Sequence, residues 1–240
     1  MTLYEILFIL VIFLSNIIQT VTSFAGTVLA MPFSIQLVGA DVAKPVLNVV
    51  AIAVSLYVAI RHYKAINWKR LLLMILFVGF GFAGGIALSY IPNDGTILLK
   101  IYGGIIVAIA LFFLFFPIEK LKLPDWFLYI LLVLGGVLHG LYISGGPLII
   151  IFATLKIKDK EEFRATLASM WAILNSILLV QQGVSGLLTP QVGILIAIGI
   201  GATVFSIIIG QLLAKVTSKK VFMIITCVLL LISGVSLLIK

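Results

Sequence analysis

The stretch HGLYISGGPLIIIF, His139 to Phe152, sets a histidine, a tyrosine, a serine and a Gly-Gly-Pro inside a long apolar run. Glycine and proline stop a helix that the flanking residues would otherwise continue. Only about a dozen apolar residues then follow, from Gly145 to Leu155. At about 1.5 Å per residue they rise roughly 18 Å, short of the roughly 30 Å hydrocarbon core of a bilayer. The stretch reads as a helix broken inside a membrane and followed by a half-helix or re-entrant piece.

The rest of the chain supports that setting. Of the 240 residues 63% are hydrophobic and 10% charged, against roughly 45–50% and 25% in a soluble domain. This excludes an ordinary soluble enzyme and describes an all-α polytopic membrane protein in which one transmembrane domain, 1–240, takes up the whole length. Hydropathy divides it into ten segments: Leu3 to Val21, Gly26 to Val38, Pro45 to Ile60, Leu71 to Ile91, Ile97 to Phe116, Trp126 to Leu138, Gly145 to Leu155, Phe163 to Val180, Val192 to Ala214, and Val221 to Ile239. The first carries Glu5 and no basic flank, so it is expected to stay as a helix rather than act as a cleaved signal. The single cysteine, Cys227, lies in an apolar run and excludes an intramolecular disulfide or a cysteine metal cluster.

The second segment, Gly26 to Val38, is as short as the seventh, and the two are related. A shift of 120 residues places Gly26 over Gly146, Gly79 over Gly199, Gly81 over Gly201, Lys44 over Arg164 and Glu5 over Asp125. Two repeats of about five segments are expected, 1–120 and 121–240. Loop charge sets their orientation, because short cytoplasmic loops retain Lys and Arg. The loop after the third segment holds Arg61, Lys64, Lys69 and Arg70, whereas its counterpart QQGVSGLLTPQ has none; the next pair of loops reverses the bias. On this register all of the sixteen basic residues but Lys44, Lys100 and Lys240 fall inside. The halves are therefore expected to have inverted topology, with both termini on the outer side of the cell membrane.

Inverted repeats with interrupted helices suit alternating access, with the solute at the interruptions. The first interruption lies in NIIQTVTSFAGTVLAMP, Asn16 to Pro32, and the second is the stretch quoted above. At a helix start, backbone N–H groups without intrahelical partners and the macrodipole favour an anion. Gly26, Gly145 and Gly146 allow close backbone approach, and Pro147 suits a first helical turn. The two starts, facing each other, would form one anion cradle together with Gln19 and its counterpart His139.

Other residues carry more than one reading. His139 is a substrate ligand, a proton carrier or a satisfied interhelical donor. Asn48 and Asn175, inside apolar helices, line the path or bond a neighbouring helix. Lys44 and Arg164 head equivalent helices and either draw an anion into two vestibules or snorkel at the interface. Gly79, Gly81, Gly84, Gly85, Gly199 and Gly201 read as packing residues. Trp68 and Trp126 read as interfacial anchors. The charged run KIKDKEEFR is of mixed sign and reads as a solvated loop.

The glycine-rich breaks, Ile143-Ser144-Gly145-Gly146-Pro147 in one half and Phe24-Ala25-Gly26 with Pro32 in the other, resemble those of the sulfite exporter TauE/SafE family of membrane permeases. The resemblance spans nearly the whole chain and implies movement of sulfite, sulfoacetate or related organosulfonates. It also implies that their oxygens accept hydrogen bonds from backbone N–H groups and from hydroxyls at Thr22, Ser23, Tyr142 and Ser144. The expected partners are a small anionic substrate, membrane lipid, and a coupling proton or sodium ion; nucleic acid, cofactor and metal are not expected. A passive anion channel and a non-transporting scaffold subunit are the competing readings. An intramembrane enzyme would need a nucleophile and base or a metal, and the sequence offers no such constellation.

Overall fold

The computed structural model describes residues 1–22, 26–91, 96–116, 118–216 and 219–239. Ten α-helices follow one another: α1 (Leu3–Thr22), α2 (Gly26–Val38), α3 (Ala40–Arg61), α4 (Trp68–Ser89), α5 (Thr96–Phe115), α6 (Asp125–Tyr142), α7 (Gly146–Lys156), α8 (Lys160–Val184), α9 (Pro190–Val216) and α10 (Lys219–Ile239), and no strand occurs among the described residues. Seven of them, α1, α3, α4, α5, α6, α8 and α9, are long and apolar enough to cross a membrane. The helices α2 and α7, with 13 and 11 residues, are the short ones that hydropathy singled out.

Where the helices outrun the apolar segments, polar residues extend them. Asp159 caps α8 by accepting from Glu162 N at 2.8 Å, and Asn67 caps α4 by accepting from Arg70 N at 2.9 Å. Only Gly39, at φ 79°, separates α2 from α3. That left-handed backbone is open to glycine at little cost.

The exterior is apolar. On α4, Leu72, Leu76 and Phe80 recur at helical spacing and are 65%, 69% and 77% exposed, a stripe suited to lipid. Polar side chains are turned inward instead: Asn48, His139, Ser144 and Asn175 are all buried.

The closest helix pairs are α4 with α6, α1 with α9, α5 with α10 and α3 with α8. Glycines set the α4–α6 approach. A Cβ added at Gly81 would stand 1.9 Å from Val133 O, at Gly85 2.3 Å from Val137 O, at Gly136 2.1 Å from Val78 O and at Gly140 2.5 Å from Phe82 O. Two small-xxx-small pairs thus bring backbone against backbone. The packing reading fits Gly81 and Gly85, and more loosely Gly199, which lies by side chains of Ile12 and Val50; Gly79, Gly84 and Gly201 have nothing within 4 Å.

Hydrogen bonds fix which loops share an end of the bundle. Asn67 Nδ2 donates to Glu162 Oε1 at 2.7 Å and Asn67 N to Thr166 Oγ1 at 3.0 Å, tying the basic loop after α3 to the start of α8. Gln181 Nε2 donates to Tyr90 OH at 2.8 Å at the far end of the same 25-residue helix. The loop rich in Lys and Arg and its uncharged counterpart therefore lie at opposite ends.

Candidate functional site

At the end of α6 the chain reverses through Ile143, whose N–H donates to His139 O at 2.8 Å and whose φ is 55°. A β-branched residue in the left-handed region is strained, and here its burial holds it in place. Ser144 Oγ donates to Tyr142 O at 2.8 Å and accepts from Tyr102 OH at 2.6 Å. Gly145 lies flat against α6: an added Cβ would come 1.9 Å from Gly135 O and 3.0 Å from His139 Cβ. The next residue begins α7, with proline in its first turn.

The other short helix starts under a comparable cover. A Cβ added at Gly26 would fall 1.7 Å from Gln19 Oε1, so the Gln19 carboxamide occupies the place that a side chain on the first residue of α2 would fill.

Both starts border one cavity of about 50 Å³. Its walls hold three pairs of residues, each pair separated by 120 positions: Gln19 with His139, Ala51 with Trp171, and Ser55 with Asn175. Thr27 in the first turn of α2, Gly146 at the first position of α7 and Ile143 complete the lining. Next to it, a larger cavity of about 130 Å³ shares Gln19, Ser55 and Trp171 and extends past Asn16, Thr20 and Gln211 to Arg164. Among the described residues neither lining contains a carboxylate, and Arg164 is the one charged side chain in the two.

The polar wall is partly satisfied. His139 Nε2 lies 2.8 Å from Asn175 Oδ1, and with that oxygen accepting, Nε2 carries the hydrogen. Trp171 and Phe82 flank the imidazole at 4.9 and 5.9 Å between ring centroids. Asn48 Nδ2 donates to Asn175 O at 3.1 Å and to Gln182 Oε1 at 2.9 Å. Two buried side-chain polar atoms without a hydrogen-bond partner among the described residues, His139 Nδ1 and Asn48 Oδ1, both belong to this network. Leaving such a group unpaired costs about 1–3 kcal/mol.

The residues singled out from sequence separate into groups. Gln19, His139, Gly146 and Asn175 meet at the smaller cavity, and Arg164 stands exposed at the larger. Gly26 lies under Gln19, while Asn48 braces Asn175 from behind. Tyr142, Ser144 and Gly145 do not line either cavity. Tyr142 instead stacks on Tyr102 at 4.3 Å, and Lys44 Nζ sits 5.2 Å from the centre of the Tyr142 ring. Ser23 lies outside the described residues, as does the side chain of Thr22. Sequence reasoning passed over Thr27, Ala51, Ser55 and Trp171. The 120-residue shift held the signal for one of them, since it carries Asn175 onto Ser55 in the register that carries His139 onto Gln19.

The family model for the sulfite exporter TauE/SafE matches residues 8–237. The chain belongs to the sulfite exporter TauE/SafE family. TauE/SafE proteins are membrane permeases rather than enzymes, which agrees with an apolar helical bundle whose buried polar groups gather around a cavity. The match takes in both breaks and both short helices of this TauE/SafE chain. No curated protein and no solved structure matched it.

Proposed function

We propose that this chain is a secondary transporter that moves sulfur-containing anions, sulfite or small organosulfonates, across the cell membrane by alternating access. The anion is held where α2 and α7 begin. The observation that carries this reading is the cavity wall itself: three repeat-related pairs and the first turns of both short helices around one space.

Two helix starts aimed at one space each present about half a positive charge, and their free N–H groups supply the donors that a desolvated oxyanion needs. The absence of carboxylates from both cavity linings suits an anion and offers no acidic ligand for a cation. Gln19 and His139 each cover one helix start; the Gln19 amide can donate to the anion, while His139, whose hydrogen goes to Asn175 Oδ1, holds that side chain in the wall.

The helix packing supports inverted repeats. Exchanging the halves carries α4–α6 onto α9–α1 and returns α3–α8 and α5–α10 to themselves, and these are the four closest pairs. The equivalent cations differ in setting: the larger cavity reaches Arg164, while Lys44, at the opposite end of the α3–α8 pair, lies over Tyr142 outside both linings. A cavity reaching one end favours a carrier over a passive anion channel, and in a carrier the two ends exchange these roles. The bias of Lys and Arg among the loops supports an Arg164 end in the cytoplasm and both termini outside.

Flux of labelled sulfite, sulfoacetate, taurine and sulfate into proteoliposomes tests this. Saturable movement of at least one sulfur anion, driven by a proton or sodium gradient, is expected, and a His139→Leu variant should lose it. Linear, gradient-independent flux would establish a channel; no flux of any of the four would refute the substrate class.

A further inference from the structure

We propose that the cleft between α5, α6 and α7 holds an acyl chain of an anionic phospholipid, whose phosphate lies beside Lys120 and Lys122. The cleft, about 560 Å³, is apolar throughout its lining, which includes Ile105 and Phe112 of α5, Leu131 and Leu134 of α6, and Leu121 and Leu123 of the connecting segment.

It exists because the two halves pack differently. The helix α10, which the 120-residue shift relates to α5, packs against α1 and α2; α5 makes no comparable packing against α6 and α7, the counterparts of those helices. The cleft thus lies where α5 lacks the packing that α10 makes with α1 and α2.

The mouth of the cleft has a head-group chemistry. In Lys120-Leu121-Lys122-Leu123 the leucines line the cleft and both lysines are exposed. Exposed Trp126, in the first turn of α6, marks the same level as an interfacial residue. Of the other charges here, Asp125 is neutralised by Lys156 Nζ at 2.6 Å, and Glu119 is the remaining acid of the connecting segment. Along α6 the lining runs from Phe127 to Leu138, roughly 16 Å at about 1.5 Å per residue. That is about half of a 30 Å core, the depth of one leaflet. A cleft one leaflet deep, dry inside and flanked by two ammonium groups at its head-group end, fits a lipid with a negative phosphate better than a zwitterionic one.

The purified full chain, exchanged into mixed micelles of detergent with phosphatidylglycerol or phosphatidylcholine, can be examined by native mass spectrometry. One phosphatidylglycerol per chain should be retained, with a preference of about thirtyfold over phosphatidylcholine, each lysine contributing about the fivefold expected of a basic residue at an anionic surface. Lys120→Gln with Lys122→Gln should abolish the preference while phosphatidylcholine is retained as before. Ala108→Trp, which puts an indole into the cleft from an exposed position on α5, should reduce retention of both lipids. Equal retention of the two lipids by the unaltered chain, or retention indifferent to all three substitutions, would overturn the proposal. So would a lipid-free dimer that Ala108→Trp dissociates, since the cleft would then be the seat of a second copy.

Discussion

Two glycine-to-alanine substitutions that add the same methyl group should fail in opposite ways. At Gly81 the new Cβ would lie 1.9 Å from Val133 O, and real Cβ atoms essentially never come within 3.0 Å of such an atom. The obstacle is backbone, so α4 and α6 must part by about 1.1 Å, the difference between those two distances. A gap of that size forfeits a quarter to half of the dispersion energy of each contact it opens, and overpacking of this kind costs about 1–3 kcal/mol. For a chain of this length that corresponds to a Tm lower by about 2–12 °C. At Gly26 the new Cβ would lie 1.7 Å from Gln19 Oε1, the far end of a flexible side chain. The carboxamide can rotate away with no backbone movement, so Tm should change by no more than about 2 °C, within the few tenths of a kcal/mol typical of an unstrained site. What is lost is the position of Gln19 in the cavity wall. A hydrogen bond to a charged solute is worth about 1.5–3 kcal/mol, so its loss lowers the apparent affinity for sulfite by about 10- to 150-fold. Thermal melts in detergent and concentration-dependent uptake in proteoliposomes, run on both variants, read the two effects separately. A Gly26→Ala protein with unchanged affinity, or one destabilised as much as Gly81→Ala, would refute the placement of Gln19 over the start of α2.

His139→Gln installs the residue that its counterpart already is, and its amide can still donate to Asn175 Oδ1; transport should fall less than about tenfold, whereas His139→Leu should abolish it. Loss of proton coupling in His139→Gln, read as uptake no longer responding to a pH gradient, would instead make His139 the proton carrier. Asn67→Ala removes the α4 cap and the side-chain bond to Glu162, while its backbone N–H can still donate to Thr166; it should cost about 1–2 kcal/mol, seen as a lower Tm with unchanged substrate selectivity. Arg164→Gln, at the exposed end of the larger cavity, should raise KM for sulfite most strongly at low ionic strength, and the difference should shrink as salt screens the guanidinium.

Much of the fold was legible because the membrane imposes length and polarity so strictly. Ten apolar segments became ten helices in the expected order, and the two that were too short to span became α2 and α7. Helix limits were less visible: α3 begins at Ala40 after the left-handed Gly39, and α8 at Lys160 after the Asp159 cap, and neither a backbone turn nor a capping hydrogen bond is written in hydropathy. At the site, the type of residue was easier to read than its direction. Ser144 looked like a ligand from its place in the break, yet its hydroxyl is held by Tyr102 and by the Tyr142 carbonyl. Only the left-handed turn at Ile143 decides which way that side chain faces, and nothing in an isoleucine announces a positive φ. Trp171 was overlooked for a different reason, since an aromatic residue in an apolar helix gives no sign of bordering a cavity.

The convergence of both helix starts on one anion site is most directly tested through Trp171. The chain has three tryptophans, and Trp68 and Trp126, 63% and 64% exposed, can be replaced by phenylalanine to leave Trp171 as the sole reporter inside the cavity wall. Titrating that protein with sulfite at constant ionic strength should give a saturable change in emission that Gly26→Ala shifts to higher concentration and that chloride does not reproduce. An emission spectrum indifferent to sulfite, in a protein that still transports it, would place the anion elsewhere.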